Sequence, residues 1–169
     1  MFSEDRAFEA HDRPFEAQGK QECLSYTAWI SFLTRCSCGT AFAILSKMFS
    51  EAVLDHFRNP RNAGELTSAT ATVEVSNPVC GDILKLAVRV VGRQIEEVRF
   101  LCRGCTTSIA CASLLTEQLR DRGLPEALNI TADSLSVALG GLPPATFHGA
   151  QLAADALSAL LKKVAAAAR

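Results

Sequence analysis

The chain has almost no charge imbalance: 17 Lys and Arg stand against 18 Asp and Glu, a formal net charge of −1. From Met48 onward the count is twelve of each sign, so that part of the sequence is neutral. A protein that grips a phosphate backbone needs a clustered basic face. Arg58 and Arg61 are too few to make one, so nucleic acid is excluded as a partner. Long uncharged runs are missing as well. Trp29 to Leu45 is apolar, but Arg35 interrupts it and Lys47 ends it, short of the about 20 residues that span a bilayer. No membrane association is expected. The start is acidic, unlike a secretory signal, and too rich in acids for a mitochondrial leader. Seven cysteines, at 23, 36, 38, 80, 102, 105 and 111, are an odd number. Without a secretory leader they argue against a disulfide framework and for a reducing, cytoplasmic compartment. In that setting cysteines serve as ligands, reactive thiols or small core residues.

The 169 residues divide at Met48. Residues 1–47 lack any hydrophobic period, and they are expected to be a disordered or spurious extension. Cys36-Ser37-Cys38-Gly39 has no second pair nearby to complete a metal site. Residues 48–169 form the expected domain, long enough to bury one core.

Phe49, Val53, Leu54 and Phe57 recur at helical spacing, with Ser50 as cap and Glu51 in the first turn. Asn59-Pro60-Arg61-Asn62-Ala63-Gly64 ends that helix in a loop. Thr70–Ser76 alternates as a strand. Ile83–Val91 does so more strongly, with Leu84, Leu86, Val88 and Val90 on one face. Gly92-Arg93 makes a tight turn, and Ile95–Leu101 returns as a third strand. A helix then runs from Cys105 through Arg122, stopped by Gly123. Short helices are predicted over Pro125–Leu128 and Ala132–Leu139. After the Gly140-Gly141-Leu142-Pro143-Pro144 loop, a last helix carries Leu152, Ala156, Leu157, Leu160, Leu161 and Val164. The expected fold class is α+β, a three-stranded antiparallel sheet with helices packed on one face.

Metal-binding side chains fall where these elements begin or end. Cys80 and Asp82 lie in the turn between the first two strands. Alternate residues of an extended segment point the same way, and Gly81 lets the backbone bend. Cys105 opens the long helix, where Thr106 and Thr107 supply capping oxygens and unpaired amides favour a thiolate. His148 follows the Pro-Pro loop at the start of the last helix. A three-stranded meander can gather such ends on one rim. Two thiols, one carboxylate and one imidazole suit zinc, or iron with sulfide.

From Met48 to about Lys163 the sequence resembles the IscU/NifU-type iron–sulfur cluster assembly scaffolds. The likeness rests on Phe49-Ser50-Glu51-Ala52-Val53-Leu54-Asp55-His56-Phe57 with Asn59-Pro60-Arg61-Asn62, and on Cys80-Gly81-Asp82. Gly104-Cys105 with Ser108-Ile109-Ala110, Leu142-Pro143-Pro144, and Leu152-Ala153-Ala154-Asp155-Ala156 complete it. The gap between Cys105 and His148 resembles the IscU type, since the SufU type carries an insertion there. The resemblance implies a binding and transfer protein rather than an enzyme. A cysteine desulfurase supplies sulfur, iron enters, and a labile [2Fe–2S] cluster forms and passes to an acceptor or carrier protein. It implies Cys80, Asp82, Cys105 and His148 as the ligands of the cluster or metal.

Three positions depart from the family pattern. Gly149 stands where the family has a third ligand cysteine, which also removes a sulfur-accepting thiol. Thr146 replaces a lysine beside the Pro-Pro loop, which weakens the implied docking of an Hsp70-type chaperone. Thr106 replaces a glycine. Three readings therefore stay open: a divergent scaffold binding iron, zinc or a labile cluster; a zinc-binding sulfur-relay or interaction protein; or a domain without metal. Cys102, close to the rim, is a substitute ligand to consider, and Cys111 a weaker one. Gly149→Cys is expected to strengthen cluster retention.

Overall fold

The computed structural model describes residues 48–167 apart from Val79. The Cys36 and Cys38 pair and the rest of the 1–47 extension lie outside the described residues. Helix α1 spans Glu51–Arg58. The Ser50 hydroxyl accepts from the Val53 amide at 3.2 Å, removing one of the orphan donors of a helix start. The same hydroxyl donates to the carbonyl of Leu139, tying α1 to a distant loop. Val53 and Leu54 face inward.

Three antiparallel strands follow in the order β1-β2-β3: β1 over Ala71–Ser76, β2 over Ile83–Val91 and β3 over Gln94–Arg103. The register sets Val73 beside Leu86 and Leu86 beside Phe100. Period-two alternation then sends Leu84, Leu86, Val88, Val98, Phe100 and Cys102 to one buried face. A register shift between Arg89 and Val90 interrupts the pairing, and Val90 is only partly buried. The other face is polar. Glu97 on it pairs with Arg89 at 3.0 Å and with Arg99 at 3.1 Å. The free edge of β3 is covered by the loop after α1: the Phe100 amide donates to Asn62 and the Gly64 amide to Phe100. Edge groups are thereby satisfied within the domain.

Helix α2 runs over Thr106–Leu119. It ends three residues before Arg122, because the chain leaves it to pair with β3. The Asp121 amide donates to the Ile95 carbonyl at 3.0 Å, and the Ile95 amide to Arg122 at 2.9 Å. That pairing needs the left-handed backbone Asp121 adopts, at φ 62°. Gly123 is therefore the cap of the next short helix, α3 (Leu124–Ala127), rather than the stop of α2. Helix α4 covers Ala132–Ala138 and opens on a capping box between Thr131 and Ser134. A 3₁₀ turn over Pro144–Thr146 leads into α5, His148–Ala167.

The buried side chains of α2 and α5 pack on the apolar sheet face around Leu86, Phe100, Leu115 and Leu160. Each such Leu or Phe contributes about 1.5–3 kcal/mol relative to an exposed one. The expected sheet with helices on one face is the observed architecture. No helix among the described residues is long and apolar enough to cross a membrane.

Candidate metal centre

The turn between β1 and β2 is closed by its own backbone: the Asn77 amide donates to Asp82 and the Gly81 amide to Asn77, both at 2.8 Å. Gly81 sits at φ 74°, a conformation open to glycine. Cys80 and Asp82 therefore meet through a tight turn, not through the alternation of an extended strand. One consequence is unequal burial, with Cys80 exposed and Asp82 buried.

Asp82 lies against the junction of β3 and α2. A Cβ on Gly104 would stand 2.8 Å from the Asp82 carboxyl carbon, so glycine is what lets the carboxylate approach. Asp82 Oδ2 accepts from the Ser108 hydroxyl at 2.5 Å and from the Cys105 amide at 3.4 Å. Burial by itself would raise the pKa of this carboxyl. Hydrogen bonds from Ser108, the Cys105 amide and the thiols of Cys80 and Cys105 outweigh it and hold the pKa below its ordinary value. Asp82 is thus an anion at neutral pH.

Cys105 is the N-cap residue of α2 and makes no side-chain capping bond. The expected threonine caps take another form: Thr107 Oγ1 lies 2.9 Å from the Cys105 sulfur. Ser108 Oγ is 3.3 Å from the same sulfur, and His148 Nε2 is 3.6 Å from it. His148, the first residue of α5, is half-buried. One ligand atom each from Cys80, Asp82 and His148 lie within 4.8 Å of one another. The four side chains singled out in the sequence thus meet at one rim of the sheet.

The spacing bears on what they hold. With metal–sulfur bonds of about 2.3 Å and metal–nitrogen bonds of about 2.0 Å, a tetrahedral ion sets its sulfur and nitrogen ligands about 3.5 Å apart. The Cys105–His148 separation of 3.6 Å matches that edge. A cluster spreads its terminal ligands over two irons, which takes a wider set. The donor types fit zinc, or iron with sulfide; Cys80, Asp82 and His148 form the compact group, and Cys105 adjoins it through His148.

Both candidate substitutes are buried. Cys102 pairs with Leu84 inside the sheet, and burial, aided by the charge of Asp82, pushes its thiol up to about 12. Cys111 is fully buried in α2 and is likewise pushed up to about 12, mainly by burial. Such thiols stay protonated and are poor ligands.

The surroundings of Gly149 weigh against the gain expected from Gly149→Cys. The start of α5 presses on the start of α2, and a Cβ at 149 would lie 2.8 Å from the Ser108 amide nitrogen and 2.9 Å from the Thr107 carbonyl carbon. Backbone fills the place where a third thiol would begin. Sequence reasoning also missed the parts played by Gly104 and Ser108. A small polar residue in the first turn of a helix that opens on a candidate ligand was the available signal for Ser108.

A three-stranded sheet that gathers two thiols, a carboxylate and an imidazole at one rim defines a candidate metal-handling domain. Residues 48–168 match the NifU-like N terminal domain, and the chain belongs to that family. It is 44% identical over 110 residues to the iron-sulfur cluster assembly scaffold protein IscU 1 of Archaeoglobus fulgidus, a match covering 65% of this chain and 72% of the relative. The IscU scaffold protein of Aquifex aeolicus is 39% identical over 120 residues, covering 70% and 76%. The fold is shared with two solved structures. One is a putative iron-sulfur cluster assembly scaffold protein for the SUF system from Fervidobacterium islandicum, with a TM-score of 0.58 at 22% identity, covering 69% of this chain and 98% of that one. The other is the N-terminal part of a nitrogen-fixing NifU-like protein from Brucella abortus, with a TM-score of 0.58 at 15% identity, covering 72% and 97%.

Proposed function

We propose that this protein is an iron–sulfur cluster assembly scaffold that takes iron and sulfur as cargo at Cys80, Asp82, Cys105 and His148 and passes a labile [2Fe–2S] cluster to an acceptor or carrier protein. The observation that carries the reading is the convergence of those four side chains at one rim in a chain of this family. Two thiolates and an imidazole bind iron well, whereas a carboxylate is a harder and weaker partner for a cluster. A set of that kind suits cargo that must leave. The role is binding and transfer, without turnover of a small substrate.

The sulfur source is a cysteine desulfurase, and Cys80 is the thiol that receives it. Among the described cysteines Cys80 is the exposed one. Its thiolate attacks the outer sulfur of a donor persulfide, a new S–S bond forms, and the donor cysteine leaves as thiolate. Docking of an Hsp70-type chaperone at the Pro-Pro loop is the least supported partner, since Thr146 there spends its hydroxyl on the Pro143 carbonyl at 3.1 Å. Free thiols in the core and at the rim favour a reducing, cytoplasmic location.

The second reading, a zinc-holding sulfur-relay protein of the same fold, is favoured by the compact Cys80, Asp82 and His148 group and by the backbone close to position 149. Anaerobic reconstitution with iron, cysteine and a desulfurase separates the two. Visible charge-transfer absorption with about two irons per chain, lost on addition of an apo-acceptor, supports the scaffold. One equivalent of zinc in the purified protein, with no colour after reconstitution, supports the relay, and failure to bind any metal contradicts both.

A further inference from the structure

We propose that Ser108 is a positioning residue of the candidate metal centre, fixing Asp82 and Cys105 relative to each other before a metal arrives. The inference rests on reading Cys80, Asp82, Cys105 and His148 as one site. Ser108 is 1% exposed and sits in the first turn of α2. Its one proton goes to Asp82 Oδ2 at 2.5 Å. The hydroxyl oxygen keeps lone pairs to accept from a thiol, and the Cys105 sulfur lies 3.3 Å away. Asp82 Oδ2 also takes the Cys105 amide at 3.4 Å. Two donors from the start of α2 therefore set the rotation of the carboxylate.

Ser108 is itself held from behind. Gly149 of α5 packs so closely that an added Cβ would lie 2.8 Å from the Ser108 nitrogen and 3.1 Å from its Cα. The residue thus links three donor-bearing segments: the β1–β2 turn through Asp82, the start of α2 through Cys105, and the start of α5 through the contact at Gly149. Thr107 also backs onto Gly149, but its hydroxyl lies against the Cys105 sulfur rather than the Asp82 carboxylate. Groups that orient metal ligands commonly change affinity by about 10–100-fold when removed. Ser108 is placed to act in that way, through Asp82 above all.

The test is Ser108→Ala in the full chain, titrated with Co²⁺ against a chelator while the visible spectrum is recorded. We expect binding weakened by about 10–100-fold, with the thiolate-to-cobalt charge-transfer band retained and the d–d bands altered. The melting temperature of the metal-free protein should fall by roughly 4–8 °C, since a buried hydrogen bond to a carboxylate is lost, with the fold retained. In an Asp82→Ala background the same substitution should weaken binding by less than about threefold, because the group it orients is gone. Wild-type affinity and d–d bands in Ser108→Ala would overturn the proposal, as would an undiminished effect in the Asp82→Ala background. Failure of the wild-type chain to bind Co²⁺ would sink the metal-site reading itself, and this inference with it.

Discussion

Cys102 and Cys105 are three positions apart in sequence and belong to different chemistries. Cys102 is the penultimate residue of β3, its side chain pinned in the core opposite Leu84, where burial pushes its thiol up to about 12. Cys105 is just past the strand at the mouth of α2, with two hydroxyls and an imidazole around its sulfur. Cys111 and Cys80 repeat the contrast, one fully buried and the other exposed. Residue type says nothing about which thiol can act. What decides is whether the residue belongs to the alternation of a strand or to the break that follows it.

Thiol reactivity should show the largest effect. Timed alkylation of the metal-free protein with iodoacetamide, read by peptide mass spectrometry, should label Cys80 first and Cys105 more slowly. Cys102 and Cys111 should react only at the rate of global opening, orders of magnitude later. Early labelling of Cys102 would erase the distinction between rim and core.

Ligand substitution should come next. Cys105→Ala should weaken Co²⁺ binding by more than about 100-fold, beyond what the loss of an orienting group costs, and reduce the thiolate charge-transfer band. Cys102→Ala should leave both unchanged within error.

A smaller effect is expected where the two helix starts meet. Replacing glycine by alanine within a helix ordinarily gains about 1 kcal/mol. Gly149→Ala should instead lose about 1–3 kcal/mol of stability in urea denaturation, since the added methyl meets backbone. Gly149→Cys meets the same obstacle and should not improve cluster retention. A stabilised Gly149→Ala would show that the helices separate easily and that a third thiol has room.

The smallest effect concerns a histidine inside the domain. His56 Nδ1 is 2.9 Å from the Ser113 hydroxyl, and its pKa is lowered from 6.5 first by burial and then by Arg61, against the opposing pull of Glu117 and Asp55. The folded state thus favours the neutral ring. Its contribution to stability is complete above the unfolded value of 6.5 and is lost as pH falls through the lowered value. His56→Asn should flatten the pH dependence of stability just below pH 6.5. The loss tied to Asp82, whose pKa is also lowered, comes only below the carboxylate value of 3.8.

The sequence made the sheet legible because β2 alternates strictly and is bounded by turn residues. The span Ile83–Val91 agrees with the reading residue for residue. The end of α2 was not legible. Nothing near Arg120 signals a stop, and the cause is pairing with Ile95, distant in the chain. The four donors could be singled out because each stands at an element end and carries metal-binding chemistry. Their supports could not. The Ser108 partner Asp82 lies across the fold, and Gly104 and Gly149 matter for the space they leave, which no local pattern announces. A missing cysteine at 149 was visible; that backbone occupies its place was not.

The claim that these four side chains form one metal-binding site is tested most directly by zinc-edge X-ray absorption on the full chain loaded with one equivalent of zinc. The account calls for two sulfur ligands at about 2.3 Å and two nitrogen or oxygen ligands at about 2.0 Å, with one sulfur lost in Cys105→Ala. A shell with a single sulfur, or one unaltered by that substitution, would contradict it.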